Sequence, residues 1–300
     1  MHNTEYNRTQ VVKYLAITFI ASYAVEFGVG ALYDRGNPVA GQLLMVGLMF
    51  IPAIAVLLSA GPSALKDLGW NPQVRKNIRP ILIAWLSPAI LTAIGAVLYF
   101  LIFRSHLDVS GQFVVQNAGE EAMQQLEAAG ISYPMYVAIS VAQALTYAPF
   151  INAIPALGEE IGWRGFLYPQ LRAKYGRTAG RILGGVIWGA FHWPLIWLIG
   201  YEYGTDYIGF PVIGMLLFCV CTIALGILCD WLRERSGSIW LPSLFHGAFN
   251  AAAGVPLLIC RPDIGSARLL GPAPNGLIAG LPLILFAAAV MLRDDKRSDN

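Results

Sequence analysis

Apolar stretches recur along this chain at nearly regular intervals, separated by short polar connections. Eight of them approach or exceed the roughly 20 residues that a helix needs to cross a bilayer. They lie at about 11–32, 40–60, 80–103, 133–157, 179–199, 209–229, 239–259 and 275–292. The pattern predicts an all-α integral membrane protein, a bundle of about eight transmembrane helices that makes residues 1–300 a single membrane domain. The first stretch lacks a short apolar core followed by a small-residue cleavage motif, so it reads as an uncleaved first span. Internal repeats and low-complexity tracts are not evident.

The basic residues give this segmentation an orientation. With the N-terminus placed in the cytoplasm, sixteen of the 20 Lys and Arg fall in cytoplasmic connections. These are Arg8 and Lys13, the group from Lys66 to Arg79, the group from Arg164 to Arg181, Arg233 with Arg235, and Arg293 with Lys296 and Arg297. Only Arg35, Arg104, Arg261 and Arg268 fall outside. That bias matches the positive-inside rule and predicts a multi-pass protein of the cell membrane with both termini cytoplasmic.

Two connections are long enough to hold structure of their own. Residues 104–132 contain GEEAMQQLEAAG, a short helical run in which Glu120, Glu121 and Glu127 form a solvated acidic face. Residues 164–181 mix basic and apolar positions, as an interfacial helix lying on anionic headgroups does. Composition supports the membrane reading: 13% of the residues are charged, against about 25% in soluble domains. A net charge of +2 gives no reason to expect nucleic acid. The four cysteines form no Cys-x-x-Cys pair and read as small buried apolar side chains.

Against this apolar background, a few ionisable residues stand at membrane depth, where each costs about 2–3 kcal/mol or more. Glu159, Glu160 and Arg164 lie where the 133–157 run ends, His192 lies in IWGAFHWPLIW, and His246 and Asn250 lie in LFHGAFN. Glu160 and Arg164 share a helical face, as do His246 and Asn250. Glu159 points about 100° away from Glu160 and is free to meet another helix. Counted from the cytoplasmic ends, His246 lies roughly 10 Å deep and His192 roughly 16–20 Å deep. The pieces therefore approach from the cytoplasmic half, and the site is expected to open there. A buried carboxylate beside a histidine can take a proton from water. A second histidine and an amide can donate to a developing oxyanion. The same residues also contain a zinc alternative, with Glu159, His192 and His246 as ligands.

The order Glu159-Glu160-x-x-x-Arg164, then an aromatic four residues before His192, then His246-x-x-x-Asn250 resembles the three motifs of the CAAX-protease and bacteriocin-processing (CPBP, or ABI) family. The resemblance covers roughly residues 133–260, the expected catalytic core. It implies an intramembrane endopeptidase in which Glu159 and His192 activate water, Glu160 and Arg164 support them, and His246 and Asn250 form the oxyanion hole. It implies a peptide or membrane-protein substrate, with a prenylated C-terminal tail as one candidate, presented near the cytoplasmic leaflet. The family has been described both as metalloproteases and as glutamate-dependent; a metal-free site is the favoured expectation, with no cofactor, and zinc the alternative. Trp188 stands where the family usually has Phe, and reads as an apolar packing residue. Two other classes compete: a non-proteolytic membrane immunity or scaffold protein of the same family, and a transporter with a buried Glu/His relay. Glu26, midway along the first span, stays without a role; His106 and His2 read as solvent-exposed.

Overall fold

The computed structural model describes residues 5–298, and among these every regular element is helical. The first three apolar runs become α1 (Arg8–Asp34), α2 (Pro38–Leu48) with α3 (Ile51–Ala60), and α4 (Ile78–Ile102). The side chain of Asn7 caps α1 by accepting from the Gln10 N–H, and Asn37 does the same for α2 from the Ala40 N–H. The 104–132 connection holds α5 (Gln112–Ala118) and α6 (Glu120–Ala128), in accord with the expected helical run.

The region 133–260 departs further from eight straight rods. The run expected at 133–157 breaks at Thr146 into α7 (Tyr133–Leu145) and α8 (Ala148–Gly162). Beyond α8 the chain continues through a π turn, Trp163–Leu167, into α9 (Tyr168–Tyr175). The run at 179–199 becomes α10 (Arg177–Phe191) and α11 (Trp193–Ile199), with His192 at the joint. Then follow α12 (Val212–Ser236), α13 (Trp240–Ala253) and α14 (Leu281–Ser298).

Among the described residues, five segments are long and apolar enough to cross a membrane: Arg8–Asp34, Pro38–Ala60, Ile78–Ile102, Arg177–Ile199 and Val212–Ser236. A sixth arises if α6 and α7, bent by 90°, are taken together. The expected spans at 133–157, 239–259 and 275–292 do not form as single long helices: the first is interrupted at Thr146, α13 ends at Ala253 after 14 residues, and α14 starts only at Leu281. Large apolar side chains face outward on the enclosing helices, Ile20 and Leu43 at 73% and 70% exposure, as a lipid-facing surface requires.

Small residues bring the central helices close. A Cβ on Gly247 of α13 would stand 2.4 Å from the Ala153 nitrogen of α8, so only glycine allows that approach. Gly189 of α10 meets Cys219 and Thr222 of α12 in the same way. Such small-residue contacts are how helices pack where no aqueous hydrophobic effect drives them together. They set α8, α10, α12 and α13 side by side.

Within the 164–181 connection, Arg181 departs from the expected place on the headgroups. Arg181 is fully buried and donates from Nε to Asp230 Oδ2 (2.7 Å), from Nη2 to Glu234 Oε2 (2.6 Å) and from Nη1 to Asp294 Oδ2 (3.0 Å). Arg172 also pairs with Asp230. These arginines tie α9 and α10 to α12 and α14, at the end of the bundle that carries most of the basic residues.

Candidate active site

Glu159 and Glu160 sit on the last turn of α8, both almost fully buried, and they face different partners as their 100° offset demands. Glu160 Oε1 accepts from Arg164 Nη1 at 2.9 Å and from His246 Nδ1 at 3.0 Å. The expected Glu160–Arg164 pair is therefore present, and α13 adds a histidine to it. The Arg164 guanidinium also lies 4.5 Å from the Tyr168 ring centroid and 4.3 Å from that of Trp188, stacked where its remaining N–H groups meet π faces.

Glu159 turns the other way. Its Oε2 accepts from the indole N–H of Trp163 at 3.0 Å and from that of Trp188 at 2.6 Å. This corrects the reading of Trp188 as apolar packing. A phenylalanine there would fill the space but could not donate. Two N–H donors on one oxygen fix the carboxylate's orientation, which leaves Oε1 for the adjoining cavity.

His192 occupies the joint between α10 and α11, where the backbone turn aims its ring inward. Its Nδ1 lies 3.0 Å from the Trp188 carbonyl. A carbonyl can only accept, so Nδ1 carries the proton and Nε2 keeps its lone pair for the cavity. The ring stacks on Tyr201 (6.0 Å, 9°) and meets Phe218 edge-on (4.9 Å, 63°). His246 is held by Glu160 and by the edge of Trp188 (5.0 Å, 73°).

One cavity of about 290 Å³ is lined by Glu159, His192, His246 and Asn250 together. The structure thus gathers four of the six expected residues around one cavity, with Glu160 and Arg164 bonded to each other and to His246 beside it. The rest of the lining comes from α2, through Gln42 and Met45, from α12, and from Tyr201, Glu202 and Asn275. Those last three lie in connections at the end of the bundle away from the arginines. The lining therefore extends from the α8 wall toward the end of the bundle away from the basic residues. A second, larger cavity of about 830 Å³ does lie at the basic end and reaches Arg164, but it touches none of those four residues.

Glu202 and Asn275 are residues that sequence reasoning missed. The Asn275 amide donates to Glu202 Oε2 at 2.9 Å, and burial pushes the Glu202 carboxyl above its usual range while the Tyr201 hydroxyl beside it pulls it back. Glu202 also holds a left-handed backbone (φ 68°), which is uncommon for a non-glycine residue and concentrates at functional sites. The only sequence hint was a carboxylate next to an apolar run.

Among the described residues, no three His, Cys, Asp or Glu side chains converge as a metal-binding group. Glu159, His192 and His246 do not converge as a zinc set, and no step below passes through a metal. Of the remaining histidines, His106 bonds the Tyr99 hydroxyl (2.7 Å) and stacks on Phe103, so it is less free than expected, and His2 lies outside the described residues. All four cysteines are buried and unpaired.

Residues 141–252 match the profile of the family described as "Type II CAAX prenyl endopeptidase Rce1-like". The matched stretch runs from α7 to α13 and takes in all six residues. Over that stretch the chain is similar to this Rce1-like family. It is also 30% identical over 149 residues to "CAAX prenyl protease 2" of Methanococcus maripaludis, an alignment that covers 49% of each protein. The chain therefore spans about half the length of the curated relative it matches.

Proposed function

We propose that the protein is a membrane-embedded endopeptidase that hydrolyses a peptide bond with water activated by Glu159 and His192. The observation that carries this reading is the single cavity lined by Glu159, His192, His246 and Asn250. A water between Glu159 Oε1 and His192 Nε2 meets two acceptors that are already oriented by other groups. It gives a proton to Glu159 as its oxygen bonds to the scissile carbonyl carbon. The oxyanion accepts from the Asn250 amide and from His246, which Glu160 holds in place. Collapse of the tetrahedral intermediate breaks the C–N bond, and the Glu159 proton passes to the departing amine. Donors placed where charge develops supply most of the acceleration in such a site.

His246 lies about two turns into α13 from the basic end, roughly 10 Å, so the bond is cut in that half of the bundle. The positive-inside bias supports an eight-span arrangement in which this half is cytoplasmic and both termini lie there. Reporter fusions after residues 35, 104, 202 and 261 should then all read external. The substrate is a peptide or membrane-protein segment, and the match to CAAX prenyl endopeptidases makes a prenylated C-terminal tail the first to try.

Purified protein in liposomes, given farnesylated and unmodified membrane peptides, tests the reading through fragment masses. Cleavage lost in Glu159→Gln and His192→Ala, with both variants still folded, is the expected result. A scaffold would keep its binding in these variants and cleave nothing in any form. A transporter would move a proton or solute across the same liposomes.

A further inference from the structure

The second cavity, at the basic end, takes no part in the hydrolysis described above. It lies where the connection between α3 and α4 folds over the end of α12. There the Leu68 carbonyl accepts from the Ile239 N–H at 2.9 Å, and the Asp67 carbonyl accepts from Arg233 Nη2 at 3.1 Å. The Asn77 amide crosses the same junction to the Ser236 carbonyl at 3.2 Å. These segments, with Pro169 and Arg172 of α9, border about 830 Å³. That volume is within the range of small-ligand sites.

The lining is electropositive. Lys66, Arg164, Arg172, Arg177 and Arg233 contribute to it, against the carboxylates of Asp67 and Glu234 alone. Those acids do not neutralise the bases. Glu234 is already shared: its Oε2 accepts from Arg181 at 2.6 Å, while Oε1 lies 3.4 Å from Arg177 and 3.8 Å from Arg172. Asp67 meets Arg233 through its backbone carbonyl. Among the described residues, neither Lys66 nor Arg233 pairs with a carboxylate. Arg164 is fully buried, and its Nε and Nη2 have no acceptor. Its Nη1 bonds Glu160, so the cavity ends against the cluster that holds His246. Unpaired guanidinium forks of this kind match the oxygens of a phosphate.

Two tryptophans set the depth of this cavity. Trp70 follows the lining residue Gly69, and Trp240 stands three positions beyond the lining residue Gly237. Trp240 Nε1 donates to the Trp70 carbonyl at 2.9 Å, and the two rings pack edge-on with centroids 6.5 Å apart. Tryptophans gather at the level of the lipid headgroups. The cavity therefore stands where lipid phosphates lie. The positive-inside bias makes that leaflet the cytoplasmic one, whose surface is negative.

We propose that this cavity binds a phosphate group, supplied by the headgroup of an anionic phospholipid, with Lys66 and Arg233 as its principal partners. Basic pockets between membrane helices on the cytoplasmic side hold such headgroups. The site does not rest on the endopeptidase reading, since it needs cations and a headgroup rather than a cleaved bond.

Short-chain phosphatidylglycerol, short-chain phosphatidylcholine and inorganic phosphate, each titrated into the purified protein in detergent, test the site. Binding is read as the rise in melting temperature that a ligand of the folded state brings. The measured quantity is the half-saturating concentration, so a variant of lower starting stability still gives an answer. In the wild type, phosphatidylglycerol should half-saturate at a concentration about tenfold below either of the other two. Lys66→Gln with Arg233→Gln should raise that concentration roughly thirtyfold. Arg75→Gln with Lys76→Gln removes the same charge from exposed positions of the same connection, outside the cavity, and should leave it unchanged. An equal response of the wild type to both lipids overturns the proposal, and so does an equal loss from the two variant pairs. Inorganic phosphate that half-saturates at or below the concentration of phosphatidylglycerol would give the site to free phosphate and overturn the lipid assignment.

Discussion

The molecule buries two clusters of opposite charge, and they are built on different principles. At the basic end, Arg181 uses Nε, Nη1 and Nη2 on three carboxylates, so all three of its guanidinium nitrogens are paired. Around Arg164, by contrast, a single N–H bonds Glu160 while Nε and Nη2 find no acceptor. Both arginines are equally buried, so burial alone does not separate a structural cluster from a working one. Completion does. A fully paired network gives rigidity and has nothing left to offer a substrate, whereas an unfinished one keeps capacity for water and a reacting carbonyl.

The comparison can be broken from either side. The largest effect is expected for Glu159→Gln, which should leave almost no cleavage in a fragment-release assay while the melting temperature stays close to wild type. Arg181→Ala should do the reverse, because Asp230, Glu234 and Asp294 lose their common partner, at a cost of about 3–5 kcal/mol. Thermal melting in detergent should register that loss, and a larger destabilisation from Arg164→Ala than from Arg181→Ala would refute the division. Asn250→Ala removes one oxyanion donor and should cost about 10²–10³ in kcat with little change in melting. Losses equal to those of Glu159→Gln would contradict the roles assigned. The smallest effect is expected for Trp188→Phe, which deletes one hydrogen bond to a charged carboxylate, worth about 1.5–3 kcal/mol. It should lower kcat about tenfold, and an unchanged rate would mean that Trp163 alone holds Glu159.

The sequence made the site legible wherever a residue was chemically out of place. Glu159, Glu160, Arg164, His192, His246 and Asn250 were conspicuous because their surroundings are apolar, and helical spacing sorted their faces. Trp188 was not legible, since an indole in an apolar run looks like packing until its N–H is seen on a carboxylate. Arg181 was misread for a related reason. Its partners Asp230, Glu234 and Asp294 lie about 50 and more positions downstream, and no local pattern joins them. Helix content was readable from apolar runs, but their division was not. The joints at Thr146 and His192 depend on how neighbouring helices pack, and hydropathy averages over them. Glu202 and Asn275 sit in connections whose course follows from the bundle, so their meeting at the cavity could not be anticipated.

The two indoles that grip Glu159 have a consequence for how this protein can be observed. Trp163 and Trp188 are fluorophores hydrogen-bonded to the very oxygen whose charge changes when the carboxylate takes up a proton. Their emission should therefore report on that carboxylate without a label or a substrate analogue. With the six other tryptophans replaced, the intrinsic spectrum becomes a continuous optical record of the Glu159 carboxylate within the bilayer.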